Sequence, residues 1–245
     1  MIFVIFETEL APDERATFDQ AVAGATAAVK AAPQGTLAYE WFVDGDYTRG
    51  VLVEAYASSA DFVAHLAAMR DCGAPPPPGR NPTLTILGDL DEKTRAMVSR
   101  WPGTSWFGGR LRGVIDRRGD AVKASAIGDK AILAIARMTV PEPERARFVA
   151  LVDDVVDRVA NNEPDTIAYE WFADATGEQA IVIDIYRDVT ALSPHSANAG
   201  PVMAEIFAIV DSKLELYGAA PEAMQRAMAE KRGATYGGPR VAGLA

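Results

Sequence analysis

The sequence predicts an α+β chain made of two tandem β-α-β-β-α-β repeats, and three observations carry that prediction. A seven-residue string, TLAYEWF from Thr36 to Phe42, returns as TIAYEWF from Thr166 to Phe172. Shifted by 130 positions, residues 1–115 align with 131–245 without a gap and share 26 identities in 115 positions, well above chance. Within each copy the apolar spacing switches between strand and helix periods in the same order. Duplication of one structural unit explains all three.

In the first copy IFVIFETEL is β-branched and aromatic and reads as a strand. PDERATFDQAVAGATAAVKAA follows, with Pro12, Asp13 and Glu14 in its first turn and Phe18, Val22 and Val29 at helical spacing. TLAYEWFVD and TRGVLVEAYA form a hairpin about a GDY turn. SSADFVAHLAAMRD opens on a capping serine and continues as a helix. APPPPGRNP is expected to be irregular, because proline fixes φ and has no amide hydrogen to donate. TLTILG is the fourth strand. This order is the split βαβ, or ferredoxin-like, unit. A further helix, DLDEKTRAMVSRW, and a Gly-rich tail, GTSWFGGRLRGV, complete the copy.

The second copy repeats the plan: AILAIARMTV, PEPERARFVALVDDVVDRVANN, TIAYEWFADA, EQAIVIDIYRD, KLELYG, PEAMQRAMAEKR and GATYGGPRVAGLA. Pro194 and Gly200-Pro201 interrupt the helical stretch before KLELYG, so two shorter helices are expected there. The expected division is a first repeat at 1–115, a charged linker or edge hairpin at 116–130, and a second repeat at 131–245. A sheet covered by helices on one face must still bury its other apolar face. The two antiparallel sheets are therefore expected to pack into an intrachain pseudo-dimeric α/β barrel, complete within one chain, with a higher oligomer left open. The Gly-rich tails are expected to cross and cover the other repeat.

Lys and Arg number 24 against 34 Asp and Glu, a formal charge of −10. That weighs against nucleic acid and against an anionic membrane as partners, since both call for a basic face. The single cysteine, Cys72, allows no internal disulfide and no thiolate metal cluster, and fits a reducing cytoplasm. With no base nearby in the sequence, it reads as a structural or incidental thiol. MIFVIFETEL lacks a basic segment and reads as a strand, not a signal peptide. No apolar run reaches the roughly 18 residues that span a bilayer. Dinucleotide, P-loop and nucleophile-elbow glycine motifs are absent. Two histidines without clustered partners predict no metal site.

Each copy also carries a pattern on its hairpin and following helix. In the first copy it is Gly35-Thr36-Leu37, Tyr39-Glu40, Phe42, Glu54, Tyr56 and His65. In the second it is Thr166, Tyr169-Glu170, Phe172, Asp184, Tyr186 and His195, with Asp165 in place of Gly35 and Asp184 in place of Glu54. This pattern resembles the antibiotic biosynthesis monooxygenase domain of the dimeric α/β barrel superfamily. The resemblance covers both copies. It implies a pocket for a small hydrophobic or aromatic molecule and a cofactor-independent oxidation of a phenol or quinol by O2. Other members of the superfamily bind without turnover or ligate haem through one histidine, so those alternatives stand beside it.

The twin histidines, His65 and His195, ionise near neutrality and suit a general base, or else bond to Glu54 or Asp184 for structural reasons. The resemblance further implies that Tyr56 or Tyr186 holds a substrate oxygen. Tyr39, Trp41, Tyr169 and Trp171 either floor a pocket for a planar ring or pack the core. Glu40, Glu170, Glu54 and Asp184 either act as acid or base when buried or form ion pairs. Strand alternation puts Tyr39 and Trp41 on one face and Glu40 and Phe42 on the other.

Overall fold

The computed structural model describes residues 1–31, 35–71, 73, 78–114, 127–231 and 233–244. The first copy runs β1 (Ile2–Glu9), a 3-10 turn at Pro12–Glu14, α1 (Arg15–Ala31), β2 (Thr36–Val43), β3 (Arg49–Tyr56), α2 (Ser59–Asp71), β4 (Arg80–Leu87), α3 (Glu92–Val98), β5 (Thr104–Phe107) and β6 (Gly109–Gly113). The second runs β7 (Ile132–Thr139), a 3-10 turn at Glu142–Glu144, α4 (Arg145–Asn162), β8 (Thr166–Ala173), β9 (Gln179–Tyr186), α5 (Leu192–Asn198), α6 (Gly200–Ile209), β10 (Asp211–Gly218), α7 (Glu222–Glu230), β11 (Ala234–Gly238) and β12 (Arg240–Gly243). Cys72, Pro75 to Pro77 and most of the expected linker lie outside the described residues.

Local chemistry explains where these elements start and stop. Glu14 accepts a hydrogen bond from the Ala11 amide, fixing the turn that leads into α1. Ser58 accepts from the Asp61 amide at 3.3 Å and caps α2, as expected. Asp91 does the same for α3 through the Thr94 amide. The broken helix of the second copy divides at Ala199, between α5 and α6. Gly200 and Pro201 therefore set the break, while Pro194 sits within α5, near its start.

One sequence expectation needs correction. Residues Arg80 to Pro82 are not irregular, because β4 already begins at Arg80. The sheet tolerates Pro82 because the pairing with β1 shifts register between Glu7 and Glu9, and Asn81 takes a φ of 49° there. Each Gly-rich tail forms two strands.

Among the described residues these strands make two six-stranded sheets, ordered β12-β2-β3-β1-β4-β5 and β11-β10-β7-β9-β8-β6. The inner four of each follow the order of the ferredoxin-like unit. Each copy's last strand joins the sheet of the other copy: β12 pairs antiparallel with β2, and β6 pairs antiparallel with β8. The crossing of the tails is thus observed. The chain accordingly forms two compact units. The first takes Met1–Trp106 with the chain from Gly238 onward, and the second takes the described residues from Phe107 to Gly237.

Within each unit the helices cover one sheet face. Phe18, Val22, Ala25 and Val29 of α1 pack on Tyr39, Trp41 and Leu52 in the first unit. Phe148, Val152, Val155 and Val159 of α4 pack on Tyr169, Trp171 and Val182 in the second. Side chains of the opposite face, including Phe3, Ile5, Phe42 and Val53, are buried as well. Strands buried on both faces lose the polar–apolar alternation, which is why β2 and β3 read as nearly continuous apolar runs.

Candidate functional site

In the first unit, register alone gathers the predicted residues. Tyr39 stands opposite Glu54, Trp41 opposite Leu52, and Ile2 opposite Tyr56, so all share the helix-covered face. His65, on the second turn of α2, reaches down onto that face. Its Nε2 lies 3.3 Å from Glu54 Oε1, and both side chains are buried. The imidazole is held between Tyr39 and Tyr56, with ring centroids 5.6 and 5.3 Å away. Burial, and then the neighbouring Glu54 charge, push the Tyr56 phenol well above its ordinary range.

A cavity of about 370 Å³ lies beside this cluster, between the sheet and helices α1 and α2. Tyr39, Trp41 and Glu54 line it, with an apolar wall that includes Phe6, Leu66 and Met69. Glu54 is the carboxyl group that reaches the cavity. His65 and Tyr56 are not among the lining residues and stand behind it. The sequence thus identified the cluster, but the structure puts Glu54, not His65, in front.

The second unit builds the same face differently. His195 again sits among the tyrosines, 5.5 Å from Tyr169 and 5.1 Å from Tyr186 between ring centroids. It turns its Nδ1 to Glu163, at 2.8 Å, and not to the hairpin. Glu163 also accepts from Asn198 Nδ2 at 2.7 Å and from Thr166 Oγ1 at 2.8 Å. Burial would raise the Glu163 carboxyl, but these hydrogen bonds and the His195 charge bring it below its ordinary value. Burial would lower His195, but Glu163 and Asp184 together raise it.

Burial pushes Asp184 up to about 7, against the pull of the His195 charge and the Tyr186 hydroxyl. Its Oδ1 has no hydrogen-bond partner among the described residues. Tyr169 donates to Met203 Sδ at 3.2 Å, and Ala199, Val202 and Ile206 join its buried cluster. The side chains of α6 therefore occupy the region that forms the cavity in the first unit.

A raised folded pKa means that ionising Asp184 opposes folding. The penalty is absent below the unfolded pKa near 4, grows as pH rises, and levels off above about 7. Asp184→Asn is therefore expected to gain roughly 2 to 4 kcal/mol relative to the parent chain between about pH 4 and pH 8. Urea unfolding across that range checks it, and parallel pH curves for the two proteins would refute it.

Glu40 and Glu170 are placed elsewhere. Both point to the sheet face away from the helices, where Arg240 and Arg110 of the tail strands pair with them. Arg110 Nε lies 3.0 Å from Glu170 Oε2. A Cβ at Gly113 or Gly243 would overlap these carboxyl groups, so glycine is what admits them. Burial raises Glu40 despite the hydrogen bond and charge of Arg240.

Sequence reasoning missed Glu163, whose repeat mate is Pro33, so the comparison of copies gave it no signal. It also missed the rim residues Arg70 and Trp101, which match Gly200 and Lys231 in the second copy. No group of three or more potential metal ligands occurs among the described residues. No helix among them is long and apolar enough to cross a membrane.

Comparison with known proteins agrees with this architecture. A structure named "putative monooxygenase" from Fusobacterium nucleatum superposes with a TM-score of 0.59 at 14% identity, covering 87% of this chain and 89% of its own. A "putative monooxygenase" from Lactobacillus acidophilus gives 0.55 at 11% identity, covering 87% and 90%. At such identities the likeness is one of fold. No curated protein matches the chain. The family model for antibiotic biosynthesis monooxygenase matches residues 1–69 and again residues 131–200, each spanning the first three strands and both helices that flank the hairpin. Two matches, one in each repeat and together more than half the sequence, place this chain in the antibiotic biosynthesis monooxygenase family as a tandem duplication.

Proposed function

We propose that the first unit is a cofactor-independent monooxygenase acting on a small phenol or quinol held in the 370 Å³ cavity. The observation that carries this reading is the Glu54–His65 pair, one carboxyl group facing an apolar cavity with a buried imidazole 3.3 Å behind it. Glu54 takes the phenol proton, with the His65 imidazole behind it. The electron-rich phenolate then reduces O2: a carbon–oxygen bond forms at an unsubstituted ring carbon, para to the oxygen in a simple phenol and ortho to it in a quinol. The resulting hydroperoxide loses water to leave a quinone. One oxygen atom enters the product, the other leaves as water, and the substrate supplies all the electrons. The chain's part is to hold the ring, exclude bulk water and receive the proton.

The test is oxygen uptake and quinone absorbance with a panel of hydroquinones and polycyclic phenols. Uptake above the protein-free rate is expected in the parent chain. It should fall to background in Leu66→Trp, which fills the cavity, while Tm holds. A phenol that raises Tm without any uptake would assign the cavity to binding alone.

A further inference from the structure

The cavity of the first unit has an acidic floor and a cationic mouth, and different elements make the two ends. Glu54 of β3 lies on the sheet. Arg70, in the last turn of α2, and Trp101, just after α3, line the same cavity yet reach solvent: the Arg70 side chain is 75% exposed and Trp101 is 38% exposed. The surface between floor and rim is mostly apolar. Among the described residues Trp101 is one of the large apolar side chains left exposed, and it also lines the cavity.

Resting on the cavity reading above, we propose that the ligand is an anionic planar aromatic. Its hydroxyl enters toward Glu54, and its carboxylate, or a comparable anion, stays at the rim on Arg70 with the ring edge against Trp101. Like charge excludes a carboxylate from the floor beside Glu54, so the cavity itself sets the orientation. A guanidinium presents a planar fork that matches a carboxylate, and an indole face suits a flat ring. Among the described residues the Arg70 side chain pairs with its neighbour Asp71, Nε to Oδ1 at 2.8 Å, on an exposed surface where such a pair is easily exchanged. The second copy has Gly200 and Lys231 at these positions, so this rim belongs to the first unit alone.

The experiment is calorimetric titration with two probes, a hydroxynaphthoate carrying its hydroxyl and carboxylate at opposite ends of the ring pair, and the naphthol that lacks the carboxylate. At low salt the hydroxynaphthoate is expected to bind about two- to fivefold more tightly, because Arg70 is exposed and its attraction is partly screened. High salt should shrink the ratio. Arg70→Gln should abolish it without changing naphthol affinity. Arg70→Lys should keep part of it, and Asp71→Asn should widen it by removing the competing carboxylate. Equal affinity for the two probes, or a preference that survives Arg70→Gln, overturns the proposal while leaving the cavity reading intact. If neither probe binds, the cavity reading falls with it.

Discussion

Glu54→Gln is expected to lower the oxygen-consumption rate by about 100-fold or more while leaving Tm close to that of the parent chain. General-base catalysis by a positioned side chain contributes about 10²- to 10⁴-fold, and this substitution removes the basicity alone. Glutamine keeps the shape and places a carbonyl or amide group where the carboxyl group faces His65, so the packing around Tyr39 and Tyr56 is preserved. His65→Ala is the less clean probe. It opens a hole between two buried rings and leaves a buried carboxyl group without its partner, costs that appear as lost stability as much as lost rate. Asp184→Asn, in the second unit, should leave the rate unchanged, because α6 side chains fill the corresponding region there. A Glu54→Gln protein that keeps its full rate would move the base elsewhere. A rate lost in Asp184→Asn and kept in Glu54→Gln would assign the chemistry to the second copy.

The fold was legible because its signals are local and doubled. Strand periodicity in IFVIFETEL, helix spacing from Phe18 to Val29 and the hairpin between TLAYEWF and TRGVLVEAYA each stand alone, and each recurs 130 residues on. The exception at Arg80 to Pro82 is physical. A bulge against β1 lets a strand carry a proline, and bulges depend on the partner strand, not on local sequence.

The candidate residues could be named from the sequence, but not their arrangement. The histidines stood out as the two in the chain, and strand alternation correctly separated Glu40 from Tyr39. What alternation cannot give is the reach of a helix side chain onto a sheet. Hence His65 meets Glu54 on the hairpin, whereas His195 swings to Glu163 at the end of α4. Internal comparison finds what the copies share and is blind to where they diverge. The divergent positions, Glu163 against Pro33 and Arg70 against Gly200, are the ones that make the two faces different.

Arg110→Ala is expected to destabilise the chain by about 3 to 5 kcal/mol, the usual cost of stripping the partner from a buried charge. Glu170 is fully buried, with its side chain 0% exposed, and Arg110 reaches it from a strand contributed by the other repeat's tail. Without the guanidinium, the buried carboxyl group loses its countercharge, and taking a proton at low pH relieves that loss. The loss should therefore be larger at pH 8 than at pH 5. Replacing both partners, Arg110→Met with Glu170→Met, should recover much of the loss, because no charge is then left buried. Arg240→Ala is expected to destabilise as well, since it strips the guanidinium from buried Glu40. Glu40 keeps a hydrogen bond from the Leu244 amide at 3.3 Å, and burial already holds its pKa up, so it protonates more readily. Urea unfolding of the four proteins measures these differences, and a loss below about 1 kcal/mol for Arg110→Ala would show that the pair is not what fastens β6 to β8. The same arginine and glycine positions, Arg110 with Gly113 and Arg240 with Gly243, serve both sheets. A duplicated unit that lends its last strand to its twin needs a contact that identifies the right edge, and a buried ion pair admitted by a glycine supplies one.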